Sequence, residues 1–459
     1  MGKELLMKVL NHEDTNGQVP WVPFSGVHAA KLKGYTGKDI LTDADKLIEC
    51  LKEVHKLYEP DGMPIVFDLQ LEAEILGCEL LWADNNPPSV TSNPLGGDKK
   101  GIPSEDLFPT PESGRIPIIL KAMKVMKEYV GDTTALYGLV CGPLTLSSHL
   151  RGTSLFKEMR KDAEYVMELA DYCARYAMKM IDMYIDAGMD VIAVVDPLVS
   201  QVAPKQFHNI YHESYKKIFD YIREKGVKSS FFVCGNATLQ MDVMCQTGPD
   251  SIAVDENVSM PEAKKVTDSY NIVLSGNIPL TTTMLFGNQQ DNMKGVIDLL
   301  DSIDNKKNLI ISPGCDMPFD VPPENTIACA MAVHRTDEAR AMVANYDGGS
   351  FDDIDIEIPD YAGMDKLYIE LFTLDPDQCA ACTYMVKSVE DAYDDLKDYA
   401  DYVVYRYNIK EDIARTAKMG LKNLPTMCID GEPVYISIIP DHDELVAEVK
   451  KRYDAKKSK

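Results

Sequence analysis

Between residues 19 and 313 of this 459-residue chain, short apolar runs alternate with long stretches of helical period, and that rhythm limits the possible folds more than anything else. Eight runs qualify, at residues 19–24, 63–68, 134–140, 190–196, 228–233, 251–255, 271–275 and 308–312, each bounded by turn residues. Among the intervals, residues 43–58, 116–129, 155–187 and 204–225 repeat their apolar side chains at helical spacing. Alternating strand and helix implies parallel strands, and eight such units predict an α/β fold of the (β/α)8 TIM-barrel type. Residues 69–112 break the rhythm and read as an elaborated loop over the carboxyl ends of the strands, where such barrels gather their functional residues.

Near residue 345 the composition changes. Residues 346–364 are acidic, contain glycine and lack a helical period, so they read as a linker between a barrel at 1–345 and a second domain at 365–459. In the second domain a strand at 366–373 runs into Asp375-Pro-Asp-Gln-Cys379-Ala-Ala-Cys382, which opens a helix. Another strand follows at 402–408, then a helix, then a hairpin beginning at Leu424-Pro425, then a closing helix over 441–452.

A net charge of −26 argues against nucleic acid and against anionic membrane surfaces as partners. No apolar run reaches the length of a membrane span, and the start of the chain has no signal-peptide core, so a cytoplasmic protein is expected. Eleven scattered cysteines fit that reducing setting.

Two of those cysteines stand where an apolar run hands over to a loop: Ser230-Phe-Phe-Val-Cys234-Gly-Asn236 and Leu309-Ile-Ile-Ser-Pro-Gly-Cys315-Asp. In a barrel both positions lie at strand ends and face one mouth, so the two thiols are expected to meet. Thiolates are zinc ligands, and a catalytic zinc keeps one position open.

Residues 1 to about 345 resemble the uroporphyrinogen decarboxylase superfamily, in particular its corrinoid-dependent methyltransferase branch, which includes methylcobalamin:coenzyme M methyltransferases. The resemblance is carried by Asp68-Leu-Gln-Leu-Glu-Ala-Glu-Ile-Leu-Gly77, Cys141-Gly-Pro-Leu-Thr-Leu-Ser-Ser-His149, Val194-Val-Asp196-Pro, Val233-Cys-Gly-Asn236 and Ser312-Pro-Gly-Cys315-Asp. It implies zinc held by Cys234 and Cys315, cobalamin carried by a partner corrinoid protein, and a small-molecule methyl donor or acceptor. The branch has a histidine two residues before the first cysteine, where this chain has Phe232. Asp255 and Glu256, at the next strand end, are the candidate replacements. His149, Arg151 and Glu72 are candidate substrate contacts, His149 also a possible ligand, and Asp196, at a strand end, a candidate catalytic residue. Decarboxylases of the superfamily place arginines near the N-terminus, and residues 21–31 here contain none. The methyltransferase reading is therefore preferred. The alternative is a metal-free barrel serving a thiol–disulfide oxidoreductase tail.

That tail, residues 365–459, resembles thioredoxin-like domains through Cys379-Ala-Ala-Cys382 and the later Leu424-Pro425-Thr. A cysteine at a helix N-terminus has a lowered pKa, so Cys379 would be the attacking thiolate and Cys382 its partner.

Overall fold

Seven parallel strands form the heart of the molecule: β1 (Gly62–Pro64), β2 (Ala135–Cys141), β3 (Val191–Val195), β4 (Lys228–Val233), β5 (Ser251–Val254), β6 (Val273–Ile278) and β7 (Leu309–Pro313). They are hydrogen-bonded in chain order. Strands of this kind are covered on both faces, which is why β2 and β3 are buried along their whole length and carry no charge. The structure is a computed structural model and describes residues 2–348, 354–374, 380–421 and 423–458.

The eighth unit closes the ring without becoming a regular strand. Residues 19–24 lie between β7 and β1: Ile311 N donates to Pro20 O at 2.9 Å, Val22 N to Ile311 O at 3.0 Å, and Asp61 N to Trp21 O at 2.9 Å. Pro20 and Pro23 have no N–H to give a ladder, so pairing shrinks to one bridge, Trp21 to Ile311. Helices cover the outside, among them α1 (Ala44–Tyr58), α2 (Leu71–Ile75), α3 (Ile116–Val130), α4 (Pro143–Arg151), α5 (Ala163–Asp186) and α6 (His212–Glu224). The interior is packed with Phe24, Phe67, Tyr137, Leu139, Val195 and Phe232, so the barrel is a core and not a pore. Residues 69–112 include α2 and a small hairpin, Leu80–Leu81 with Ser89–Val90. α2 packs on α4, which leaves from the carboxyl end of β2.

The chain divides into two units, Met1–Gly348 and Gly349–Lys459. In the second, β8 (Leu367–Thr373) pairs parallel with β9 (Ala400–Arg406) and antiparallel with β10 (Thr426–Ile429), which forms a hairpin with β11 (Glu432–Ile436). The hairpin turn places Asp430 at φ 49° and Gly431 at φ 78°, the pair of positive angles a type I′ turn requires. Its helices are α7 (Ala380–Leu396), α8 (Lys410–Lys418) and α9 (His442–Lys457).

The stretch expected to be a linker is engaged at both ends. Tyr346 Oη donates to Asp291 Oδ1 at 2.9 Å within the barrel unit. Tyr361 Oη donates to Glu370 Oε2 at 2.6 Å and accepts from Arg415 at 2.6 Å within the second unit. Buried Glu370 and Arg415 pair at 2.5 Å, and a phenol that completes such a pair belongs to the domain.

Candidate active site

Cys234 follows the last residue of β4 and Cys315 stands two residues beyond β7, and their sulfurs are joined in a disulfide. The S–S distance is 2.11 Å and the Cα atoms are 5.8 Å apart, across 81 residues of sequence. β5 and β6 lie between the two strands, so the bond spans part of the mouth. Beneath it lies an aromatic floor. Phe232 is fully buried, with its ring centroid 4.7 Å from that of Phe24 and 5.7 Å from that of Phe67. The ring at the branch's histidine position thus packs downward into the core.

Two carboxylates flank the sulfurs. Asp255 follows β5, is buried, and accepts from Asn257 N at 2.9 Å, from Asn257 Nδ2 at 2.6 Å and from the backbone of Gly235 beside Cys234. Glu256 accepts from Leu280 N. Its own backbone N lies 2.7 Å from where a Cβ on Gly314 would be, so only glycine fits before Cys315. Burial pushes the pKa values of both acids up. The loop that carries them is pinned by Asn277, whose Nδ2 donates to Asp255 O at 2.8 Å and Val258 O at 2.7 Å.

Among the described residues, no group of three or more histidine, cysteine, aspartate or glutamate side chains is arranged to hold a metal ion. The expected zinc does not fit this disulfide form, because each sulfur is bonded to the other and neither is a thiolate.

On the β1 and β2 side of the mouth, Glu72 is 1% exposed. Its Oε1 accepts from Cys141 N at 2.9 Å, while Oε2 has no hydrogen-bond partner. Burial pushes its pKa up to about 7. His149, 4% exposed, has an unpartnered Nε2, and burial lowers its pKa to about 4, so the ring is neutral. Both feel the charge of Asp68, which pairs with Arg115 Nη1 at 2.5 Å. Asp68 ends an apolar run just as Cys234 does, and that placement was the signal for it. Asp316, next to Cys315, has a buried, unpartnered Oδ1 packed against Gly26 and a pKa raised by burial. It lies in the Ser312-Pro-Gly-Cys315-Asp stretch that carries the resemblance, although only the cysteine of that stretch is a candidate site residue by sequence.

Two expected site residues are occupied otherwise. Asp196 accepts from Leu144 N at 3.0 Å, Thr145 N at 3.1 Å and Tyr215 Oη on one oxygen and from Thr145 Oγ1 at 2.6 Å on the other, so it binds the first turn of α4. Arg151 forms a two-point pair with Glu158, at 2.9 and 2.7 Å, and its Nη1 donates to Leu95 O and Gly97 O. It clamps the loop over the mouth rather than presenting a cation to a ligand. Arg151→Ala is expected to cost about 2 kcal/mol in denaturant unfolding and to leave the KM for the small-molecule substrate unchanged. A tenfold rise in KM would return Arg151 to substrate binding.

Glu72 gives a pH prediction. A carboxyl whose pKa is raised on folding is bound to its proton more tightly in the folded state, so stability falls as pH rises from 4.5 to about 7 and then levels off. Glu72→Gln keeps the acceptor oxygen and removes the buried charge. Thermal unfolding should show it more stable than wild type above pH 7, by up to ~3 kcal/mol, with the difference vanishing near pH 4.

In the second unit, Cys382 is buried in the first turn of α7, and its Sγ accepts from Leu374 N at 3.3 Å. Cys379 lies outside the described residues.

A closed ring of parallel strands with paired cysteines and acids on the loops after the strands defines a (β/α)-barrel protein, an architecture that gathers functional groups at its carboxyl face. The chain belongs to the uroporphyrinogen decarboxylase (URO-D) family, whose sequence model matches residues 1–336. Among curated relatives, methylcobamide:CoM methyltransferase MtbA of Methanosarcina acetivorans is 27% identical over 332 residues, 70% of this chain and 94% of that protein. Methylcobamide:CoM methyltransferase MtaA of Methanosarcina barkeri is 29% identical, covering 60% of this chain and 80% of that protein. A solved methyltransferase from Methanosarcina mazei shares the fold with a TM-score of 0.66 at 24% identity, over 73% of this chain and 99% of its own. Among the described residues no helix is long and apolar enough to cross a membrane.

Proposed function

We propose that the barrel unit is a corrinoid-dependent methyltransferase. It moves a methyl group between the methylcobalamin of a partner corrinoid protein and a thiol or a methoxy, methylthio or methylamine compound. The observation that carries this reading is the convergence of Cys234 and Cys315 on the mouth. Similarity to methylcobamide:CoM methyltransferases over most of the barrel supports it. In the reduced state the two thiols, with Asp255 or Glu256, are the groups that would hold zinc, which supplies Lewis acidity and keeps a coordinated thiol deprotonated. Glu72 and His149 offer the unpartnered polar atoms that would contact the small substrate. The Phe24, Phe67 and Phe232 floor closes the site from below and keeps water out of it.

The second unit is read as a thioredoxin-like domain whose Cys379 and Cys382 form a redox dithiol. The order β8, α7, β9, α8, β10, β11, α9, with one parallel and two antiparallel pairings, supports that reading. The disulfide at the mouth favours a second reading, a metal-free barrel that serves the tail as a thiol–disulfide partner.

Anaerobic mixing of reduced, zinc-supplemented protein with a methylated corrinoid protein and a thiol separates the two. Methyl transfer predicts loss of the methyl–cobalt absorbance at a rate set by this protein. An unchanged methyl–cobalt spectrum with thiols, together with no methyl–cobalt band formed when cob(I)alamin protein is mixed with methoxy, methylthio and methylamine donors, would leave only the thiol–disulfide reading.

A further inference from the structure

We infer that the Cys234–Cys315 disulfide and a metal-holding Cys234/Cys315 dithiol are mutually exclusive states of one site, so that oxidation of this single pair switches metal binding off. The inference rests on the zinc reading above and adds its regulation.

The loops that carry the sulfurs are held independently of the bond between them. Gly235 is tied to the Asp255 carboxylate, Gly314 N donates to Ile278 O at 3.0 Å, and Met317 N donates to Phe24 O at 2.9 Å. Breaking the S–S bond therefore leaves both sulfurs beside one another, within joint reach of one cation. Forming it removes both thiolates at once, and with them the donors that outweigh the flanking carboxylates in affinity for a soft metal.

Selectivity follows from exposure. Cys315 is half-buried at the mouth, whereas Cys234 and all the free cysteines among the described residues are buried, so an oxidant meets Cys315 first and Cys234 closes the bond from beside it. Burial holds the thiols of Cys50, Cys78, Cys141, Cys173, Cys245, Cys329 and Cys428 above their ordinary pKa, so they present little thiolate to an oxidant.

The chemistry balances with a low-molecular-weight disulfide as oxidant. Its S–S bond breaks, the Cys234–Cys315 bond forms, two electrons pass to the reagent, and its two sulfurs leave as thiols. From the free dithiol the two protons come from Cys234 and Cys315. From a metal-bound form they would come from solvent, and a divalent ion held by the pair would leave with its charge unchanged.

The test uses the full chain, reduced with a dithiol, loaded with zinc and freed of excess metal without air. Oxidised glutathione is titrated in while released zinc is read with a chromogenic chelator and free thiols are mapped by alkylation and mass spectrometry. Zinc release should track the loss of alkylation at Cys234 and Cys315, with one cross-linked peptide pair, and a dithiol should restore both. The Cys379→Ser, Cys382→Ser double variant should release zinc with the same dependence on oxidant, which separates the barrel pair from the tail. Zinc retained after the cross-link forms, or lost while both cysteines still alkylate, overturns the inference alone. Reduced protein that takes up no zinc overturns the metal reading and the inference together.

Discussion

Cys234→Ser is expected to slow methyl transfer from methylated corrinoid protein at least about 100-fold, beyond what the loss of a residue that only supports a ligand usually costs. Serine is nearly isosteric, so the loop after β4 and the packing on Phe24 and Phe232 should survive. What is lost is a sulfur that can be anionic near neutral pH, since a free thiol has a pKa of about 8.5 and a serine hydroxyl does not ionise there. Cys315→Ser should do the same, and the double variant should be little worse than either single one, because the two sulfurs act as a unit. Stability offers an independent readout. A cross-link closing an 81-residue loop contributes about 4 kcal/mol by restricting the unfolded chain. Oxidised wild type should therefore resist denaturant better than Cys234→Ser by roughly that amount, and a reducing agent should erase the difference. Full activity in either single variant would remove the sulfur pair from the chemistry.

Asp196→Ala should be the most damaging single change outside the sulfur pair, at about 4 kcal/mol in denaturant unfolding. It strands three buried donors, Thr145 N, Thr145 Oγ1 and Tyr215 Oη, and leaves Leu144 N only a long contact to Tyr215 Oη at 3.4 Å. Burial already holds this carboxyl's pKa up to about 6, so its hydrogen bonds offset a charge the interior disfavours. Asp196→Asn should cost far less, because its amide oxygen accepts the three bonds made to Oδ2 and Thr145 Oγ1 can accept from the new amine. Gly142 leaves the room this contact needs: a Cβ there would stand 2.3 Å from Asp196 Oδ2. If Asp196→Asn folds normally yet loses methyl transfer by two orders of magnitude, the carboxyl acts in the chemistry and not in the first turn of α4.

The contrast between Cys234 and Asp196 shows what kind of information a sequence holds. Both stand at the end of an apolar run, and both were read as site residues for that reason. The strand runs were legible because parallel strands buried on both faces must be continuously apolar. The ends of those runs were legible because a barrel puts them all at one mouth. The hairpin at Asp430-Gly431 was legible because few residue pairs accept two positive φ angles. The irregular closure at residues 19–24 was written in Pro20 and Pro23, although the run was read as an ordinary strand.

The sequence by itself determined the alternation of strand and helix, the boundary region near residue 345, and the two thiols destined for the same face. These depend on local periodicity and on chain order, which a linear string records completely. Only the tertiary structure decided which polar groups at that face are already spent. Arg151 is consumed by Glu158 and two loop carbonyls, and Asp196 by the start of α4. Glu72, His149 and Asp316 keep unpartnered atoms there. A side chain's remaining hydrogen-bonding capacity is set by neighbours tens or hundreds of residues away, and that sum exists only once the chain has folded.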